Sequence, residues 1–119
     1  MLDLTFYHKD HSVITVEVSE LNYEKLCKAG LGKLIAPAEK ELIIEGEKYE
    51  IEVIDLSSDN RKKILDFIEK ERQQELESVF TELDDNPTIK EIREKFGYVK
   101  LLTSFYSKIT NKECEYFSY

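Results

Sequence analysis

Glycine and proline are scarce, four and two in 119 residues, which excludes the Pro/Gly-rich composition of a disordered or low-complexity chain. No apolar run approaches the roughly 20 residues that a membrane-spanning helix needs. Positive charge is also short. Lys and Arg number 17 against 25 Asp and Glu, a formal net charge of −8. A field of that sign repels nucleic-acid phosphate and anionic membrane surfaces.

The residues of catalysis are equally thin. There is no Gly-x-Ser-x-Gly elbow, and no Ser, Cys or Lys stands in a context that marks an activated nucleophile with its base. The glycines stand at 30, 32, 46 and 97, and Gly30-Leu31-Gly32 before Lys33 is too short to cradle phosphates. Carboxylate pairs are abundant, but among 25 acids pairs at any chosen spacing arise by chance. His8-x-x-His11, with Asp10 between them, has metal-ligand residue types, yet zinc sites draw three or four ligands from at least two segments. The expectation is a non-enzyme with no metal and no cofactor.

What is present reads as one globular α+β domain over residues 1–119. Hydrophobic residues make up 41% and charged residues 35%, enough to bury a core without disulfide or metal staples. The opening Met1-Leu-Asp-Leu-Thr-Phe lacks a basic leader, so a cytoplasmic setting is expected, although a chain with its leader removed would read the same. In a reducing compartment Cys27 reads as a core residue of a helix and Cys114 as a free tail thiol, rather than as a bridge.

Periodicity supplies the elements. Leu2, Leu4 and Phe6 alternate with Asp3, Thr5 and Tyr7, and Ile14, Val16 and Val18 share a face after the polar turn His8–Ser12, which predicts a hairpin. Ser19 is placed to cap a helix carrying Leu21, Leu26 and Cys27, and Gly30 to end it. Leu31 to Lys40 reads as an irregular connection. Leu42–Ile44 and Tyr49–Val53 flank Glu45-Gly46-Glu47-Lys48, a second hairpin in which Gly46 supplies the positive φ. From Ser57 or Ser58 one long helix is expected, with a polar waist at Glu69–Glu75. Asp84-Asp85-Asn86-Pro87 would stop it, with Asn86 capping the next helix and Pro87 at its first position. Gly97 reads as a break before a final helix, and Cys114–Tyr119 as an edge strand or a tail lying in a groove. A helix-turn-helix over Ile89–Leu102 is disfavoured, because Arg93 falls where close packing wants a small residue and few basic side chains could read bases.

The acidity is lopsided. Residues 1–57 carry 6 Lys/Arg against 12 Asp/Glu, whereas residues 58–119 carry 11 against 13. The candidate working surface is therefore the carboxylate set around the second hairpin: Glu41, Glu45, Glu47, Glu50, Glu52 and Asp55. It could be a solvated face that guards against edge-to-edge aggregation, or a surface for a basic protein partner. The second reading predicts a non-catalytic binder of the immunity-protein, antitoxin or phage-inhibitor type, neutralising a nuclease or nuclease toxin. The alternative is an interaction or oligomerisation subunit anchored by Phe80, Phe96, Tyr98, Phe105, Tyr116, Phe117 and Tyr119 in the C-terminal half.

Overall fold

The computed structural model describes residues 2–83 and 85–119. Met1, Asp84 and the side chain of Leu2 lie outside that description, and with them the stop expected at Asp84 and the inward setting expected of Leu2. The first hairpin pairs β1 (Leu2–His8) with β2 (Val13–Val18), antiparallel, with Leu4 opposite Val16 and Phe6 opposite Ile14. Helix α1 (Glu20–Ala29) begins where the Ser19 hydroxyl accepts a hydrogen bond from the Asn22 amide at 3.2 Å. It ends at Gly30, whose φ of 103° lies in the left-handed region that glycine enters without steric cost. The connection read as irregular begins with one helical turn, α2 (Leu31–Leu34), and then enters a strand earlier than expected.

That strand, β3 (Ala38–Ile44), forms the second hairpin with β4 (Glu47–Asp55). Helix α3 (Ser58–Glu82) follows without interruption, capped by Ser57. Helix α4 spans Ile89–Thr110, and its start differs from expectation. The cap is Thr88, not Asn86, and Pro87 lies before the helix instead of at its first position. The Thr88 hydroxyl accepts from the Glu91 amide at 3.1 Å, so a Thr-x-x-Glu sequence sets the boundary while proline holds the residue before it out of helix.

Gly97 does not break α4. The helix buries Tyr98, Leu101, Leu102, Phe105 and Ile109, and this packing outweighs the roughly 1 kcal/mol that glycine costs in a helix interior.

The largest departure is the tail. β5 (Cys114–Ser118) is a central strand, between β1 and β4, in a fully antiparallel sheet of order β2-β1-β5-β4-β3. Phe6 and Ile54 both oppose Phe117, so these three share the face on which the helices pack. There Phe117 stands 6.2 Å from Phe6 and 5.4 Å from Phe105, ring centre to ring centre. Leu26, Ile64, Ile68, Leu102 and Ile109 complete the core. A polar cluster docks α1 on the helical pair: the buried Tyr98 donates to Glu71 at 3.0 Å, and Lys25 sits 5.2 Å over its ring and 3.6 Å from Glu75. Burial first, and the Glu71 charge second, hold the Tyr98 hydroxyl far above the ordinary phenol range.

Arg61 ties the strand ends to the helices. Its guanidinium donates to the carbonyls of Ile109 and Asn111 through one nitrogen, and to those of Leu56 and Cys114 (2.8 Å) through the other. The cysteines exchange the roles expected of them. Cys27 is exposed near the end of α1, Cys114 is buried opposite His8, and both thiols are free. Burial pushes the Cys114 thiol up, against the pull of the Arg61 charge.

Four measurements check this account. Arg61→Ala removes a donor from four carbonyls and should cost about 3 kcal/mol, read as a fall in Tm of about 10 °C. Arg61→Lys should recover little of it, because an ammonium cannot reproduce the planar fork. Gly97→Ala should raise stability by about 0.5–1 kcal/mol, since the added methyl meets only Asn22 Nδ2 at 3.8 Å. A thiol reagent should modify one cysteine per native chain, Cys27, and the second only on unfolding.

Candidate interaction surface

The carboxylate hairpin is built by its turn. Glu45 and Gly46 both have positive φ, 52° and 80°, the arrangement whose twist matches that of paired strands in a two-residue hairpin. The ladder runs from Ala38 opposite Val53 to Ile44 opposite Glu47, while β4 meets β5 only through Ile54 and Asp55. Residues 38–53 therefore form an arm joined to the rest of the sheet at its root.

Because side chains alternate along a strand and cross-strand partners share a face, the register sorts the arm into two surfaces. One carries Lys40, Leu42, Ile44, Ile51 and Val53, all half-buried or buried, with Tyr49 and Glu47 at its exposed end. There the Tyr49 hydroxyl donates to Glu47 at 2.6 Å, and that bond raises the Tyr49 phenol above its ordinary value. The other surface sets Glu39 against Glu52 and Glu41 against Glu50, followed by Ile43 against Lys48. All four of these carboxylates are exposed. Their one cationic neighbour within 4.0 Å among the described residues is Lys48, 3.7 Å from Glu41 and itself largely in solvent. Ion pairs so exposed contribute little.

The set named from sequence thus divides. Glu41, Glu50 and Glu52 come together. Glu45 sits in the turn, and Glu47 belongs to the opposite surface. Asp55 is half-buried at the root, opposite Tyr116, and its main-chain carbonyl accepts from the Asn60 side chain at 2.9 Å. Glu39 joins the cluster and was not among the candidates. Its alternation with Glu41 was visible, but starting the strand at Leu42 hid it.

Beside the arm, a cleft of about 180 Å³ is lined by Glu41, Leu42 and Ile43 on one side and by His8, His11 and Tyr116 on the other. The arm therefore leans toward the turn of the first hairpin. His11 has a left-handed φ of 68°, and the buried Nδ1 of His8 meets no hydrogen-bond partner. Among the described residues, no three His, Cys, Asp or Glu side chains are grouped so as to hold a metal ion. Among the same residues, no helix is long and apolar enough to cross a membrane.

The aromatic alternative is redistributed. Tyr98, Phe105 and Phe117 are core residues, and Tyr116 and Tyr119 are half-buried, so none of these is a free anchor. Phe80 is exposed and Phe96 partly so, at the far end of the helical pair. Compared with protein-family models, with curated proteins and with solved structures, the chain matches none.

Proposed function

We propose that the chain is a non-catalytic acidic binding protein that inhibits or neutralises a basic partner, with Glu39, Glu41, Glu50 and Glu52 forming the contact. The observation that carries this reading is the register, which sets glutamate directly opposite glutamate twice in succession. Like charges in that position destabilise a hairpin. Protection of an edge accounts for charge as such, since β3 is the edge strand and β4 is open on its other side over 47–53, but it does not require like charges directly opposite one another. A cationic partner removes the repulsion on binding and turns a local cost into affinity and speed of encounter.

A nuclease or nuclease-type toxin has the complementary chemistry, because the groove that takes its polyanionic substrate is cationic. An immunity protein, an antitoxin or a phage-encoded inhibitor is the corresponding type. A cytoplasmic location belongs to the same reading.

The test begins with capture from the source organism at low salt and continues with association kinetics on the purified basic partner. Joint replacement of Glu41, Glu50 and Glu52 by Gln should slow association about tenfold at low salt, with Tm unchanged or slightly raised. Glu47→Gln, on the opposite surface, should do much less. Association with the native chain should slow steeply as salt is added. An unchanged low-salt on-rate in the triple variant sinks the proposal.

A further inference from the structure

The second exposed feature lies at the end of the α3–α4 hairpin. The main core cluster takes Ile64 and Ile68 from α3 and residues from Tyr98 onward from α4. The last turns of α3 and the first turns of α4 therefore extend past the core, in a molecule 53 Å along its longest axis. Inside this extension Val79 is buried, but a row of apolar side chains faces outward. Ile89 is 71% exposed, Phe80 66% and Ile92 40%.

These residues form one surface. Leu76 and Phe80 stand four residues apart on α3, with Leu83 just past its end, and Ile89, Ile92 and Phe96 follow at three- and four-residue steps on α4, so each helix carries a stripe along one face. The two stripes meet where the rings of Phe80 and Phe96 pack edge to face, 5.8 Å between centres. Scattered exposed hydrophobes are ordinary on a protein surface. Two adjoining stripes with an aromatic pair at their seam are the pattern of a contact surface.

Charge identifies the occupant. On α4 the neighbours of the stripe are Arg93 and Lys95, while Glu91 and Glu94 fall toward the far side of the helix. Lys95 is already held by Glu82 of α3 at 2.8 Å, on the inner side. Arg93 is exposed and pairs with no acid within 4.0 Å among the described residues. On α3 the exposed flank of the stripe is Glu77, likewise without a cation in reach. Across the patch the order is Glu77, the α3 stripe, the α4 stripe, Arg93. A two-fold operation that lays α3 of one molecule over α4 of another sets Glu77 against Arg93 twice and stripe against stripe. A surface complementary to itself in this way meets the requirement of a two-fold contact.

We propose that the end of the α3–α4 hairpin is the contact through which two copies of this chain associate. The contact is small and formed against the mutual repulsion of two molecules of charge −8, so it belongs to the weak class of interfaces. It is separate from the carboxylate arm.

Sedimentation equilibrium of the full chain, up to about 1 mM, tests the proposal. The expected result is a monomer–dimer equilibrium that persists at about 1 M salt, where the screening length falls to about 3 Å. Phe80→Ser should weaken the dimer about tenfold or more, with the circular dichroism of the native fold retained. Glu77→Arg and Arg93→Glu should each weaken it, and the two together in one chain should restore it. A monomer at every concentration overturns the proposal, and so does a dimer indifferent to Phe80→Ser or a double charge exchange that fails to restore association. At about 1 M salt, where net charge is screened, the Gln substitutions on the arm should leave the dimer unchanged, and Phe80→Ser should leave the basic-partner on-rate unchanged, so the two proposals fail separately.

Discussion

The guanidinium of Arg61 stands where the chain changes layer. Leu56 ends the run out of β4, Ile109 and Asn111 close α4, and Cys114 opens β5, and all four give their carbonyls to this one side chain. Carbonyls at the end of a helix lack intrahelical donors and carry the negative end of its dipole, so a cation with several N–H groups suits them doubly. Main-chain bonds complete the junction: Leu56 donates to Glu115, and Cys114 to Asn111. This knot of polar bonds holds the helical hairpin to the strand that enters the middle of the sheet. The aromatic packing of Phe6, Phe105 and Phe117 depends on that placement.

From this centre the molecule extends two arms of opposite character. The β3–β4 arm holds its four exposed carboxylates on the strand face that Ile54 shares, but beyond the reach of the core, so their chemistry can change with little effect on folding. The end of the helical pair exposes apolar side chains among charges of both signs. On the proposed readings, added salt weakens the contact of the first and spares that of the second, so one small chain would have two surfaces that respond separately to its surroundings.

Local chemistry was legible in the sequence, and long-range pairing was not. Ser19 and Gly30 fix the ends of α1 through bonds a few residues long, and Gly46 does the same for the second hairpin. The uninterrupted α3 follows from the absence of glycine and proline within it. Gly97 misled because its cost as a helix residue is local, whereas the burial that outweighs it comes from strands and helices distant in sequence. Cys27 and Cys114 were reversed for a related reason: only the position of β5, which no local rule reveals, places Cys114 inside. Of the candidate surface, strand alternation found Glu50 and Glu52. The face shared with Glu39 and Glu41 required the register of pairing.

The central position of β5 also sets the order in which the molecule can be assembled. Both hairpins and both long helices are local structures that can form as the chain emerges during synthesis. Each hairpin then has an open edge, and the one strand able to fill both gaps is made after everything else described here. Thr5 waits for Ser118 and Phe6 for Phe117, more than a hundred residues later. Until then β1 and β4 expose strand edges of the kind that draw in other chains. The sheet therefore closes as a late, single event over a long sequence separation, the kind of contact that slows folding. A nascent chain halted before Cys114 would have two hairpins and no sheet joining them.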